Sequence, residues 1–193
     1  MPKTETTPNL GRETEVIATK DGVFLLNNPR TARDKVRQLV ENSTDKTVTF
    51  RMTPSVLAEA ISRTPIPIDE PGLKEIDVED VFVDIDNDPK KGEKQLLIDG
   101  NYKGANFKVT LKNGISGLEF VTCKVPFLLR VFKGRIEKKL KNIDHFAKDA
   151  INGDINHNQV DGYQIGAVQE LRIGDGFVEC KVERFSDAQQ KAA

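Results

Sequence analysis

The chain of 193 residues has no tryptophan, two cysteines and two histidines. Neither the cysteines nor the histidines form the short-spaced pairs that bind zinc, and nothing in the cysteine spacing calls for a disulfide. The 29 basic side chains are balanced by 30 acidic ones, whereas a dedicated nucleic-acid-binding protein normally has a large basic excess. The composition therefore argues against a nucleic acid partner.

Long hydrophobic runs are also missing. No apolar stretch approaches the roughly 20 residues that a membrane-spanning helix needs, and the start of the chain lacks the pattern of a secretory signal. We find no phosphate-binding loop, dinucleotide motif or nucleophile elbow, so we expect no cofactor and no enzyme activity. We expect a cytoplasmic protein if the chain is complete, and a cell-envelope protein if an N-terminal anchor was removed.

The length favours one domain, because a domain takes roughly 150 residues. Residues 1–12 and 186–193 show no apolar periodicity and are predicted to be a disordered arm and a disordered tail. Between them, residues 13–185 contain no internal repeat and no linker. They are predicted to form a single α+β domain.

The first part of this domain predicts a hairpin and two short helices. An Asp-Gly pair at residues 21–22 separates two apolar runs, which is typical of a tight turn. The first helix is expected to be capped by Thr31. The Thr-Pro pair at residues 53–54 is expected to begin the second helix, since proline fits the first helical position.

In residues 73–118 the apolar positions mostly alternate, which predicts antiparallel strands. The phase of this alternation slips near Glu79 and Asp80, and we expect a β-bulge there. The pair Asn113-Gly114 predicts a two-residue hairpin turn. A last hairpin over residues 165–185 shows the clean alternation of a sheet with one solvated face.

Apolar residues at three- and four-residue steps after Pro126 predict one long amphipathic helix from Phe127 to Ile151. At 1.5 Å per residue this helix would be ~37 Å long, which is about the width of a globule of this size. The predicted fold class is α+β. A curled antiparallel β-sheet packs around one long amphipathic helix, and two shorter helices lie near the N-terminus.

Two carboxylate-rich segments resemble the start of a calcium loop. Residues 84–88 carry three alternating aspartates, but the sixth and twelfth positions hold Pro89 and Gln95 instead of Gly and Glu. Residues 154–158 have a similar rhythm and depart at the same two positions. The favoured interpretation is solvated polar segments, so we predict no metal site.

Few residues are candidates for reactive chemistry. Cys123 and Cys180 fall on the apolar phase of strands and are predicted to be buried hydrophobic side chains. His145 and Asp149 are four residues apart and would face each other on a helix. Without a nucleophile signature nearby, we interpret them as an ordinary surface pair.

The charges are unevenly distributed along the chain. Residues 69–88 hold nine acidic side chains and one lysine, whereas residues 130–141 hold six basic side chains and one glutamate. A basic amphipathic helix can contact an anionic membrane surface or an acidic protein partner. The alternative is that these charges only face solvent. The predicted contacts with an anionic surface are Arg130, Lys133, Lys138 and Lys141.

The order of elements resembles a known family. "TFRMTPSVLAEAIS" (residues 49–62) is followed by amphipathic strands, a long amphipathic helix and the hairpin "GYQIGAVQELRIGDGFVECKVE" (residues 162–183). This order is similar to bacterial tubular lipid-binding envelope proteins. The resemblance covers about residues 47–183 and implies a curled sheet around a long helix, with an acyl chain held in the seam.

These features predict a non-catalytic binding module that shelters an apolar or lipid-like ligand between the sheet and the long helix. The alternative is a structural or adaptor subunit of a larger protein assembly. A third possibility, a small enzyme, requires His145, Asp149 or the acidic strand end to lie in a pocket. The predicted ligand-binding residues are Leu129, Phe132, Ile136, Leu140, Phe107, Val109 and Phe120.

Overall fold

The computed structural model describes residues 16–18, 23–88, 91–157 and 164–185. The predicted arm and tail and the Asp-Gly turn lie outside these residues. Within them the structure has eleven β-strands and four α-helices. The strands are β1 (Val16–Ala18), β2 (Phe24–Leu26), β3 (Thr47–Met52), β4 (Ile66–Glu70), β5 (Leu73–Ile76), β6 (Glu79–Asn87), β7 (Lys94–Tyr102), β8 (Ala105–Asn113), β9 (Leu118–Lys124), β10 (Gly166–Ile173) and β11 (Val178–Arg184). The helices are α1 (Pro29–Glu41), α2 (Pro54–Ser62), α3 (Lys133–Leu140) and α4 (Ile143–Ile155), with a 3₁₀ helix at Phe127–Phe132.

A five-stranded sheet joins the two ends of the domain, in the order β1-β2-β3-β11-β10. Its pairs are antiparallel except for β2 with β3, which are parallel. The predicted first and last hairpins are confirmed as β1–β2 and β10–β11. In β11 the side chains of Val178, Cys180 and Val182 are fully buried, so the alternating residues of this strand supply one face of the core.

The four-stranded sheet is the antiparallel meander β6-β7-β8-β9. The predicted bulge is confirmed: the register shifts between Glu79 and Phe82, and Asp80 adopts a positive φ of 49°. The hairpin at Asn113 also forms, but its loop is longer than predicted. β8 ends at Asn113 and β9 begins at Leu118, so Ile115 lies in the loop with its side chain fully exposed.

The two early helices form where they were predicted. α2 begins at Pro54 with Thr53 as its N-cap residue, as expected. The predicted cap of α1 at Thr31 is wrong, because the side chain of Asn28 accepts a hydrogen bond from the backbone N–H of Arg30 (3.0 Å). Helix α1 therefore begins three residues earlier than its predicted cap would place it, with Pro29 as its first residue.

The predicted continuous helix from Phe127 to Ile151 is wrong. This segment is a 3₁₀ helix followed by α3 and α4, and the two α-helices are separated by Lys141 and Asn142. Asn142 has φ −98° and ψ 21°, outside the α-helical region. Asparagine has a low helix propensity because its side chain competes for backbone hydrogen bonds.

The predicted single curled sheet is wrong as well. The strands form three separate sheets of five, two (β4–β5) and four strands, and they do not wrap around one helix. The 13-residue helix α4 contacts α1, α2, β9 and β10 instead. It therefore lies between the five-stranded sheet and the meander, and all these elements share one hydrophobic core.

Candidate functional site

The residues predicted to bind an apolar ligand lie in this core. Five of them are at most 3% exposed: Leu129, Ile136, Leu140, Phe107 and Val109. The other two, Phe120 and Phe132, are partly buried and pack against the core. The set is thus brought together, but as side chains in contact with one another. Their role in binding a ligand stays a prediction.

The apolar space next to α4 is small. Phe107 and Val109 of the predicted set line it together with Ile143, Phe146 and neighbouring aliphatic side chains, and its volume is about 20 Å³. Pockets that hold small molecules usually have roughly 300–1,000 Å³. A ligand could enter this space only if core side chains moved apart.

The four predicted basic residues are all exposed at the surface. Because the helix is divided, they do not form one stripe: Arg130 lies on the 3₁₀ helix, Lys133 and Lys138 lie on α3, and Lys141 follows α3. Lys133 Nζ is 3.7 Å from Glu137 Oε1. This exposed pair is expected to contribute little to stability, about 0–1 kcal/mol, and leaves Lys133 accessible.

Three large apolar side chains stand in solvent beside these cations. On the 3₁₀ helix, Phe127 is 77% exposed, Leu128 is 61% exposed and Val131 is 86% exposed. Single exposed apolar residues are common, whereas larger exposed apolar patches rimmed by polar residues often mark interaction sites. We call this surface the basic–apolar patch, and it consists of Phe127, Leu128, Val131, Lys124, Arg130 and Lys133.

The three apolar residues of the patch are not among the site residues predicted from the sequence, although a signal was present. Phe127 and Val131 are off the three- and four-residue steps that connect Leu129, Phe132 and Ile136, whereas Leu128 lies four residues before Phe132. On a helix of 3.6 residues per turn, Phe127 and Val131 therefore point away from the buried stripe. Apolar residues on the outer side of an amphipathic helix are the feature to search for.

One buried residue fixes the patch to the domain. Leu129 is 3% exposed and lies in the core, and its N–H donates a hydrogen bond to the carbonyl of Pro126 (2.9 Å). Pro126 cannot donate a hydrogen bond and therefore suits the start of the 3₁₀ helix. With Leu129 directed inward, the chain presents Phe127, Leu128 and Val131 outward.

The cations of the patch border a shallow depression. Lys124, Arg130 and Lys133 line a space of about 450 Å³ together with Cys123 and Val125. The guanidinium carbon of Arg130 lies 5.3 Å from the centre of the Phe127 ring, at cation–π distance. The patch thus combines an apolar surface with a positively charged depression that could hold an anionic group.

Neither cysteine has the chemistry of a reactive thiol. Both are buried and free. Burial, and to a smaller extent the charge of Glu137, raises the pKa of the Cys123 thiol to about 11. Complete burial raises the pKa of Cys180 still further. Since the thiolate is the reactive form, both side chains act as small hydrophobic residues, in the positions predicted for them.

The His145–Asp149 pair lies at the junction of α3 and α4. Nε2 of His145 is 3.5 Å from Oδ2 of Asp149, and both side chains are more than half exposed. They line a pocket of about 200 Å³ that also includes Lys139 and Leu140. Among the described residues that line this pocket, none is a serine, threonine or cysteine that could act as a nucleophile.

The two aspartate-rich segments have structural partners. The carboxylates of Asp84 and Asp86 each accept a hydrogen bond from the backbone N–H of the following residue. Asp154 forms ion pairs with Arg33 and Arg63 at 3.3 and 2.8 Å. Among the described residues, no group of three or more His, Cys, Asp or Glu side chains could hold a metal ion.

Comparison of the chain with family models, with curated proteins and with solved structures gives no match. Among the helices of the described residues, none has the length and apolar character that crossing a membrane would require.

Proposed function

We propose that this protein is a non-catalytic lipid-binding module that attaches to anionic membrane surfaces through the basic–apolar patch. The observation that carries the proposal is the exposure of Phe127, Leu128 and Val131 next to Arg130 and Lys133. Interfacial elements bind membranes by inserting apolar side chains below the headgroups and by placing cations near the phosphates. The patch offers both attractions on one short helix.

The magnitudes are sufficient for reversible, peripheral attachment. Full burial of a Phe, Leu or Val side chain contributes roughly 1.5–3 kcal/mol, and each Lys or Arg close to an anionic membrane contributes about 1 kcal/mol. Together, the three apolar side chains and the three cations contribute more free energy than is lost in ordering this surface, because Leu129 already holds it in place. Such a module would bind the membrane peripherally.

The size of the patch favours a membrane over an acidic protein partner. A specific protein interface usually involves about 20–30 residues on each side, whereas the patch has six. Shallow insertion into lipid needs only a small apolar group with cations around it. An acidic protein partner is therefore the alternative outcome of the experiment.

The lipid contact is placed at the surface because the interior offers little room. The cavity beside α4 has about 20 Å³, and the residues first considered for ligand binding are packed together in the core. An acyl chain would have to displace several of them. Surface attachment requires no such rearrangement.

Flotation of the full chain with vesicles tests the proposal. Vesicles of phosphatidylcholine and phosphatidylserine in equal parts should carry the protein upward, and vesicles of phosphatidylcholine alone should carry much less. Replacing Phe127→Ser together with Leu128→Ser should reduce binding to the mixed vesicles at least tenfold, because about 1.4 kcal/mol corresponds to a factor of ten. Replacing Arg130→Gln together with Lys133→Gln should have a similar effect.

Matched variants separate the patch from general surface properties. Ile115→Ser with Phe82→Ser removes two apolar side chains that are 100% and 63% exposed elsewhere. Lys74→Gln with Lys181→Gln removes two exposed cations outside the patch. Both double variants should float like the unaltered protein. The proposal fails if the four double variants behave alike, or if the unaltered protein does not float with the mixed vesicles. Retention on an immobilised acidic protein surface would then indicate an acidic protein partner.

A further inference from the structure

Strand β6 has an open edge. It is the first strand in the order β6-β7-β8-β9 and pairs with β7 on one side only. The backbone N–H groups of Ile85 and Asn87 donate to the carboxylates of Asp84 and Asp86, at 2.8 and 2.7 Å. These N–H groups therefore point away from β7. Because backbone groups alternate along a strand, Val83 presents its N–H and carbonyl to the same side.

At β9 and β10, side chains from other elements occupy the backbone groups of the strand. At β10, the side-chain oxygens of Asn152 and Asn113 accept hydrogen bonds from the N–H groups of Val168 (2.7 Å) and Ile173 (2.8 Å). At the start of β9, the N–H of Leu118 donates to Asp144 (2.8 Å). Exposed strand edges promote pairing with other chains and are usually covered. At β6 the carboxylates of Asp84 and Asp86 have the same role, but they belong to the strand itself and are exposed, so a partner segment can displace them.

A groove runs along this edge. Five consecutive residues of β6, Asp80 to Asp84, form one wall, and the outer face of α2 forms the other. Three of the five α2 residues that line the groove have small side chains. Its volume is about 630 Å³, within the range of sites that hold ligands. The α2 residues are Pro54, Ser55, Ala58, Glu59 and Ser62, and Pro29 of α1 also lines the groove.

The charge of the groove indicates what it would bind. Glu59, Asp80 and Asp84 line it, and none of the described residues that line it is a lysine or arginine, although Arg63 pairs with Glu59 from outside the groove (3.3 Å). Phe82 also lines it with 63% of its surface exposed and offers an apolar contact. An extended segment with alternating basic and apolar side chains matches these features.

We propose that a basic, extended segment of a partner protein binds in this groove and adds to β6 as a further strand. In this arrangement the segment's carbonyls accept hydrogen bonds from the outward N–H groups of β6, as in other cases of strand addition. Asp84 then releases the N–H of Ile85, and its carboxylate pairs with a basic side chain of the segment. This site is separate from the basic–apolar patch and does not depend on membrane binding.

A peptide-binding assay on the full chain tests the inference. The probe is a fluorescein-labelled short peptide of alternating lysine and valine, blocked at both ends, and fluorescence anisotropy reports its binding. A second peptide with the same side chains carries N-methyl groups at alternate positions, so that it loses the backbone donors needed for pairing with a strand. We expect the first peptide to bind, and the N-methylated peptide to bind at least tenfold more weakly.

Charge-reversal variants at exposed residues test where the peptide binds. Glu59→Lys with Asp84→Lys reverses two charges of the groove and should weaken peptide binding at least tenfold. Glu75→Lys with Glu93→Lys makes the same change of charge at exposed residues elsewhere and should bind like the unaltered protein. Amide exchange at Val83 should also slow when the peptide is present, because a hydrogen-bonded N–H is protected.

Three results would overturn the inference. Equal binding of the N-methylated peptide would mean that no strand is added. Equal weakening by both charge-reversal pairs would place the peptide outside the groove. Failure of the peptide to bind would overturn the proposal, and self-association that Glu59→Lys with Asp84→Lys abolishes would then assign the edge to a second copy of the chain. Phe127→Ser with Leu128→Ser should leave peptide binding unchanged, so this result is independent of the proposed membrane attachment.

Discussion

Among single residues, Cys123 shows how burial acts on a titratable group next to the basic–apolar patch. It is 7% exposed on β9 and lines the depression bordered by Arg130 and Lys133. Burial raises the pKa of its thiol to about 11, Glu137 acts in the same direction, and Lys133 opposes the shift. Although three cations border the depression, desolvation has the largest effect on the pKa of this thiol.

We expect Cys123 to react slowly with iodoacetamide in the folded protein. A rise in pKa from 9.0 to about 11 lowers the thiolate fraction near neutral pH by roughly 100-fold. Mass spectrometry of peptides from native and denatured protein measures the ratio of alkylation rates at Cys123. Equal rates in the two states would contradict the burial of this thiol.

The same shift has a consequence for stability. The folded-state pKa of Cys123 lies above the ordinary value, so the neutral thiol stabilises the folded state fully below pH 9.0. This stabilisation is lost as the pH rises through about 11, because the unfolded state loses its proton first. Measured as a function of pH, the unfolding free energy of Cys123→Ser should therefore fall less steeply over this interval than that of the unaltered protein.

At the scale of elements, local patterns predicted the strands better than the long helix. Alternating apolar residues and short turns depend on neighbours in sequence, and both hairpins and the bulge at Asp80 could be found from them. The helix after Pro126 could not, because Leu140 and Ile143 keep a three-residue step across the break at Asn142. Hydrophobic periodicity records which side is buried and does not record whether the backbone is continuous.

The candidate sites were harder to predict for a related reason. The basic residues of the patch could be identified from composition, but their exposed apolar neighbours are recognisable only once Leu129 is known to be the buried residue of that turn. The groove beside β6 depends on strand order, which brings α2 next to an unpaired edge. Residues 55–62 and 80–84 are separated in sequence, and no local pattern connects them.

Two glycine substitutions should have opposite effects on elements that meet at α4. Gly117 precedes β9 with φ +151°, and a Cβ there would lie 2.2 Å from Oδ1 of Asp144, the acceptor for Leu118. Gly153 lies on the exposed face of α4, with no atom within 4 Å of an added Cβ. We expect Gly117→Ala to lower the unfolding free energy by about 2–4 kcal/mol, and Gly153→Ala to raise it by about 0.5–1 kcal/mol. Urea unfolding measures both values, and a stable Gly117→Ala variant would contradict the packing of Asp144 against this loop.

At the scale of the whole molecule, the near-zero net charge conceals two surfaces of opposite sign. The formal net charge is −1, yet Lys124, Arg130 and Lys133 surround one depression, and Glu59, Asp80 and Asp84 line the groove beside β6. Salt screens charges that are separated by more than about 8 Å at physiological ionic strength. Each surface is therefore expected to act locally, on its own partner.

This separation predicts how the two proposed activities respond to salt. Raising sodium chloride from about 0.05 M to about 0.5 M shortens the Debye length severalfold, so both vesicle binding and binding of the lysine–valine peptide should weaken. Vesicle binding should keep a residual component at high salt, because the insertion of Phe127, Leu128 and Val131 does not depend on charge. In Phe127→Ser with Leu128→Ser this component should disappear while the salt-sensitive part remains. Flotation across a salt series measures both parts, and complete loss of binding of the unaltered protein at high salt would show that the cations alone hold it on the vesicle.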